Sequence, residues 1–333
     1  MSGSSFAIYL NANARRVSPD VVTRIEELVH PDDIFYCSAP SDADGHAARI
    51  LERGYATVFT GGGDGTVVEL VNALYRVAGG AAGPGFPKLG VLSLGTGNAI
   101  SRLVSSGSAV QDLKSYVSNP SSDAWPIALL RCEGRLFPFG SVGLDAQILA
   151  DYVSMKSRAS DGPLKPVLQN VGGYFVAFFG GSVPRMARRA LGPGDVRMRV
   201  TTLAQAFGLA PSGETLRAYA AGEVLYDGPA KAVMAGTVPF YGYGMRLLPH
   251  AGARPGFMHL RAADIGLIRA FANLRGLWRG SYRFEGLHDY HATRVRIECS
   301  EPVPFQMAGD LFGERSAVEM EVVPDAVRLV RFI

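Results

Sequence analysis

The chain has little charge and few cysteines. Charged residues occupy only 19% of its 333 positions, and the formal net charge is +3. It contains no Lys/Arg run and no aromatic-basic RNA motif, so nucleic acid is not an expected partner. The three cysteines, Cys37, Cys132 and Cys299, lie far apart, are odd in number and lack metal-type spacing, which points to a reducing compartment. The opening residues show no basic region leading into a long apolar stretch with a cleavage site, so no signal peptide is expected. The longest apolar tract, residues 171–181, is broken by glycine and is shorter than the roughly 20 residues needed to span a bilayer. These absences describe a soluble or peripheral, cytoplasmic protein. What the chain does have is 47% hydrophobic residues and 40 glycines, enough to bury a sizeable core in two domains and to build several tight turns.

Two of those turns organise the chain. In the first, an apolar run from Ala56 to Thr60 enters Gly61, Gly62, Gly63, Asp64, Gly65 and Thr66, and apolar residues then recur at helical spacing at Val67, Leu70, Val71 and Leu74. The pattern reads as strand, glycine turn and helix. Glycines admit positive φ and close backbone approach, and a helix start attracts an anion, so phosphate is the natural occupant. A carboxylate inside a phosphate cradle must hold a metal or metal-bound water, or take the proton of an attacking hydroxyl. Asp64 therefore suggests phosphoryl transfer. The plainer reading is a βα turn with Asp64 capping the helix. The stretch is neither a Walker A loop, which needs Gly-Lys-Ser/Thr, nor the dinucleotide fingerprint, which has no acid in the turn.

The second turn follows another buried-strand run, Lys88 to Leu94, and comprises Gly95, Thr96, Gly97 and Asn98 before a helix-like Ala99 to Val104. Two parallel strands ending in such turns define a crevice, the usual ligand position in an open α/β sheet. Together, GGGDGT and LGVLSLGTGNAISR resemble the diacylglycerol kinase catalytic domain of bacterial lipid kinases, sphingosine kinases and ceramide kinases. The resemblance implies an N-terminal α/β domain like that of NAD kinase and phosphofructokinase, a C-terminal antiparallel β-sandwich and an active site in the cleft between them. It also implies ATP and Mg2+ as cofactors, with Asp64 holding Mg2+ through water.

Further landmarks carry the resemblance along the chain. Asn11 matches the asparagine of the family's Asn-Pro nucleotide loop, with Ala12 in place of the proline. SAPSDADGHAARI matches a nucleotide-contacting segment and makes Ser38 or Ser41 a candidate. FGSVGLDAQI resembles the entry to the second domain and places Asp145 near the substrate. TVPFYGYGMRLLPHA is a looser match. After it, Pro255-Gly256 replaces a metal-holding Asp-Gly, so no structural magnesium is expected there. PFQMAGDLFGE resembles the Asp-Gly-Glu segment facing the phosphates, with Ala308 for its aspartate and Asp310 for its glutamate. Ala99 likewise replaces an aspartate.

From Trp125 onward strand-like runs dominate, including the alternating Val295, Ile297, Cys299 and Val318, Met320, Val322. The domains are accordingly read as 1–125 and 126–326, with a final strand at 327–333 returning to the first. The function implied is an ATP-dependent kinase acting on a diacylglycerol- or ceramide-like lipid, with Asp310 as base and Asp64 as the alternative. A catalytically weak nucleotide- or lipid-binding regulator and a sphingoid-base kinase are the competing readings. Contact with a lipid substrate at a membrane surface is expected through a stripe at Leu267, Ile268, Phe271, Leu274 and Trp278 flanked by Arg269, Arg275, Arg279 and Arg283, with further basic residues from Arg185 to Arg199. The competing reading of the stripe is an ordinary packed helix. A homodimer is left open.

Overall fold

The computed structural model describes residues 5–332, except 15, 84, 96, 97, 106, 121, 122, 159–194, 283 and 284. Its first part alternates β1 (Phe6–Asn11), α1 (Pro19–Glu26), β2 (Ile34–Cys37), α2 (Ala43–Glu52), β3 (Thr57–Gly62), α3 (Asp64–Val77), β4 (Lys88–Ser93) and α4 (Ala109–Ser118). Local chemistry sets the boundaries. Ser18 caps α1 by accepting the Val21 N–H at 3.4 Å, and Pro19 occupies the first turn, where a missing N–H costs nothing. The strands pair in parallel in the order β2-β1-β3-β4, with Ile8 opposite Ile34 and Tyr9 opposite Thr60. Nearly every residue of β1 and β3 is buried, because helices cover both faces of a parallel sheet.

The second part is antiparallel, as its alternating pattern implied. It comprises β5 (Ala124–Cys132), β6 (Arg135–Phe137), β7 (Phe139–Gly143), the helix α5 (Leu144–Arg158), β8 (Arg197–Thr202), β9 (Ala206–Leu209), β10 (Thr215–Tyr219), β11 (Val224–Pro229), β12 (Ala232–Gly236), β13 (Met258–Ala263), β14 (Leu287–Ala292), β15 (Arg294–Met307) and β16 (Asp310–Val330). The first half of β15 pairs with β8 and its last residues pair with β7. Between them, where Pro302 and Pro304 lie, the register shifts, since proline cannot donate to a ladder. The strand thus passes from one layer to the other. Leu225 of β11 and Tyr290 of β14 share a core with Val200, Val233 and Phe305, and the Tyr290 hydroxyl donates to the Leu225 carbonyl across it at 2.5 Å. The layers remain joined through β15 in one open, continuous sheet.

Two elements link the parts. β16 is antiparallel to β15 and β5, then meets β4 in parallel at Leu329 and Leu89. α3 is buried almost all round, with Val67, Leu70 and Val71 in the α/β core and Val68 in the β core. Asn72 clamps it to β6, donating to the Leu136 carbonyl at 2.8 Å and accepting the Leu136 N–H at 2.8 Å. The change from one core to the other occurs inside β5, between Leu129 and Leu130.

Two expectations about local structure need correction. The helix-like stretch 99–104 holds only a 3₁₀ turn, Ser101–Leu103, whose preceding N–H groups, those of Ala99 and Ile100, bond to Asp64. The stripe at 267–283 is two short helices, Leu267–Ala272 and Leu274–Arg279, interrupted at Asn273. The side chains of Leu267, Ile268 and Phe271, Arg283 itself, and residues 185–194 lie outside the described residues. No described helix is long and apolar enough to cross a membrane.

A buried charge cluster in the β part should make its stability fall in acid. Arg261 on β13 donates to Asp289, directly opposite on β14, at 2.6 and 2.9 Å, and His259 Nε2 lies 3.1 Å from the same carboxylate. Burial, opposed by Asp289, pushes His259 down to about 4, while Arg261 and His259 together outweigh burial and hold Asp289 well below the usual carboxylate range. An unfolded histidine takes up its proton near pH 6.5. Between that pH and about 4 the unfolded chain therefore binds more protons than the folded one, so stability falls as pH falls. Melting temperature should drop across this window, and less so in His259→Gln. An unchanged slope in that variant would assign the acid sensitivity to other groups.

Candidate active site

The two glycine turns touch. Gly63 caps α3 in extended conformation, φ −96° and ψ −174°, and none of Gly61, Gly62, Gly63, Gly65 or Gly95 has positive φ. Positive φ is therefore not what these glycines supply; at Gly61, Gly62 and Gly95 they supply space. A Cβ on Gly95 would overlap the Gly63 Cα and lie 2.6 Å from its nitrogen, one on Gly61 would lie 2.5 Å from Leu10 Cδ1, and one on Gly62 would collide with Thr66. The left-handed residue is Asn98, φ +54°. Asparagine tolerates this region, and its amide donates to the Gly95 carbonyl at 2.9 Å. Thr96 and Gly97 lie outside the described residues.

Asp64 fastens one turn to the other. Its side chain is buried, Oδ2 accepting the Ala99 N–H at 3.0 Å and Oδ1 the Ile100 N–H at 3.1 Å. Burial raises its pKa, against the two N–H groups and the charge of Arg102. The motif read Asp64 as a helix cap or as holding a metal through water; its side chain bonds the backbone of the second turn. Asp64→Asn would turn an NH2 toward a backbone N–H and strand a buried donor, at a cost of about 1–3 kcal/mol. The variant should melt earlier while its folded fraction keeps the wild-type magnesium requirement. A raised magnesium requirement without a stability loss would restore the metal role.

Asn11 joins the same assembly, donating to Thr66 Oγ1 at 3.1 Å and accepting the Asn13 N–H at 2.9 Å. Ser38 sits beside it through its backbone, its carbonyl accepting from the Asn13 amide at 2.8 Å and its N–H donating to Asp42 at 3.0 Å. Among the described residues no side chain caps α3, which leaves the first N–H groups of the helix to an anion.

The β part brings Asp310 to this cradle. β15 and β16 are joined by a two-residue turn, Ala308 at φ +53° and Gly309 at φ +89°, with Met307 paired to Asp310, the geometry of a tight hairpin. A Cβ built on Gly65 would lie 3.8 Å from Asp310 Oδ2. Asp310 is exposed as a residue, yet partial burial of its carboxyl raises its pKa, with Arg135 opposing and Glu69 assisting. Arg135 and Glu69 are themselves paired at 3.2 Å.

Asp145 stands one layer behind. In the first turn of α5 it accepts from the Ser141 hydroxyl and from Gln306 Nε2 at 3.4 Å, and burial raises its pKa against these hydrogen bonds. Gln306, Ser141 and Tyr241 had no role in the sequence reading. The available signal was a lone polar residue within a fully buried strand run, as in Phe305-Gln306-Met307 and Gly140-Ser141-Val142. Among the described residues no three His, Cys, Asp or Glu side chains converge as a metal site. A polyphosphate on the glycine cradle would bring Mg2+ with it, and Asp64 and Asp310 are carboxylates beside the turns that could hold it, directly or through water, since this ion commonly keeps few protein ligands.

Residues 10–124 match the model of the diacylglycerol kinase catalytic domain. This segment, less than half of the chain, is similar to that domain. A diacylglycerol kinase of Staphylococcus haemolyticus is 34% identical over 88 residues, covering 26% of this chain and 25% of that protein. One from Staphylococcus epidermidis is 35% identical over the same length, covering 26% of each. The matched region thus spans about a quarter of these curated relatives. The crystal structure of a diacylglycerol kinase from Bacillus anthracis str. Sterne superimposes with a TM-score of 0.61 at 16% identity, covering 98% of this chain and 96% of that one. The likeness in fold therefore extends through the β part, well beyond the region matched in sequence.

Proposed function

We propose that this chain is a lipid kinase that transfers the γ-phosphoryl group of ATP to a hydroxyl of a diacylglycerol- or ceramide-like lipid. The observation that carries this reading is the placement of Asp310 against Gly65, which sets a carboxylate of raised pKa beside a polyphosphate cradle. Phosphoryl transfer asks for little else: fixed phosphates, charge neutralisation and a group to receive the hydroxyl proton. In this assignment the glycine turns and the α3 start hold the phosphates, Mg2+ offsets their charge, and Asp310 accepts the proton. Asp145 lies behind the hairpin and acts on the substrate side only through its neighbours. Incubating the chain with labelled ATP and a panel of diacylglycerol, ceramide, sphingosine and NAD tests the reading. Label in the first two supports it, and label in NAD alone or in none of them overturns it.

One observation favours a catalytically weak binding protein as second reading. Ala99 and Ala308, where the resembling family carries acids, are 0% and 8% exposed, so the chain has closed over both places. ATP binding without transfer to any of the four acceptors would support it.

The lipid would be reached at a membrane surface, with the short helix Leu274–Arg279 as contact. Arg275 and Arg279 are exposed there while Leu274 and Trp278 are half-buried. Reversing both charges should reduce co-sedimentation with anionic vesicles severalfold, roughly 1 kcal/mol being expected per basic residue near such a surface. Unchanged sedimentation would move the contact elsewhere.

A further inference from the structure

We propose that Gln306 is a positioning residue that aims Asp310 at the glycine cradle by latching the turn between β15 and β16. The inference rests on the kinase reading for the role of Asp310, but the latch itself is a matter of geometry. Gln306 is 3% exposed, and both ends of its amide are engaged. Its Oε1 accepts the Gly309 N–H at 2.9 Å. Its Nε2 donates to Ser141 Oγ at 2.9 Å and to Tyr241 Oη at 3.3 Å, and lies 3.4 Å from Asp145 Oδ2. The orientation is determined by chemistry. Only the carbonyl end can receive an N–H, and only the NH2 end can face the hydroxyl of Ser141, which is already committed to donating to Asp145.

The turn needs such a tether. Ala308 and Gly309 both occupy the left-handed region, and the two-residue turn lies beyond the last β15–β16 pair, Met307 and Asp310, with no ladder bond of its own. One backbone bond, the Ala308 N–H to the Phe139 carbonyl at 2.8 Å, holds its first residue to β7. Gln306 holds the second, which is the residue immediately before Asp310. Behind Gln306, Ser141 and Asp145 anchor the latch to β7 and α5, and the Tyr241 hydroxyl, donating to the Gly140 carbonyl at 3.2 Å, closes the group from the far side. A buried polar network of this kind, in which Gln306 has both amide ends engaged while Asp145 Oδ1 has no partner, favours one conformation. A displacement of about 1 Å at a reacting group can lower a rate on the order of 100-fold.

Gln306→Met keeps the volume and removes both hydrogen-bonding ends. It should lower kcat on the order of 10- to 100-fold with the KM for ATP within about twofold, because the cradle is untouched. It should also move the acid limb of the kcat/KM profile to lower pH. Once loosened, Asp310 gains water and loses part of the burial that raises its pKa; Arg135 and Glu69, which face it from β6 and α3, stay in place. A merely structural residue would lower the melting temperature and the active fraction without moving that limb. In the double variant with Asp310→Asn no further loss should appear, since Gln306 acts through Asp310. Additive losses, or an unmoved acid limb, would overturn the proposal. Amide exchange at Gly309 in the wild-type chain reads the latch without reference to activity or to the folding of a variant. Slow exchange supports it and unprotected exchange overturns it, whether or not any lipid proves to be a substrate.

Discussion

Asp310→Asn should lower kcat by roughly 100-fold or more, the usual scale of a general base, with ATP affinity nearly unchanged. The asparagine fills the same space in the hairpin, so the glycine turns and their closeness to β16 persist; only the capacity to take a proton is lost. The rate–pH profile of the wild type carries the same argument with a definite sign. Burial raises the Asp310 pKa, and the base works only when ionised. The acid limb of kcat/KM should therefore lie above the ordinary carboxylate range of about 4 and vanish in Asp310→Asn. Asp310→Glu tests reach rather than charge. The longer side chain starts from the same tight turn and is expected to retain part of the activity. Full activity in Asp310→Asn would remove this residue from the chemistry and leave Asp64 as the alternative base.

Gly95→Ala is expected to disable the nucleotide site with equal force by a different route. The added methyl would overlap backbone atoms of Gly63 and approach Asn98 Oδ1 at 3.0 Å. Backbone cannot rotate aside as a side chain can, so the two turns must separate. Overpacking of this kind costs about 1–3 kcal/mol. Separation also stretches the Asp64 bonds to Ala99 and Ile100, whose loss adds to that cost. ATP binding, measured by calorimetry on the folded fraction, should weaken by at least about tenfold, equivalent to about 1.4 kcal/mol. Gly63→Ala is the informative control. Its Cβ would sit 3.5 Å from the Gly95 Cα, an ordinary contact, and its φ of −96° suits any residue. It should fold like the wild type, so any loss of ATP binding in it reports the approach of the ligand to the backbone. If Gly95→Ala binds ATP normally, the contact between the turns is not needed for the cradle.

The sequence by itself determined the elements that local chemistry specifies. The apolar runs at Phe6 to Leu10 and Lys88 to Leu94 read as strands covered on both faces, and the alternation at Val295 to Cys299 and Val318 to Val322 as half-covered ones. The glycine turns were legible because three glycines, an acid and a fourth glycine between a strand and a helix have few other uses. Tertiary structure decided what those residues do. Whether Asp64 faces out to a metal or back to Ala99 and Ile100 depends on the distance between two turns that are separate in the chain, and no spacing encodes that distance. The glycines were recognised as a set, yet the reason for Gly95, backbone of the first turn pressed against it, exists only once β3 and β4 are side by side. Strands near Ala232 and Met258 gave weak signals because small or mixed residues buried on both faces show no period of two. Gln306 was invisible as a functional residue for a related reason. Its partners come from β7, from the segment before Met245 and from its own turn, and a hydrogen-bond network assembled from distant segments leaves no mark at any one of them beyond a polar residue where an apolar one was due.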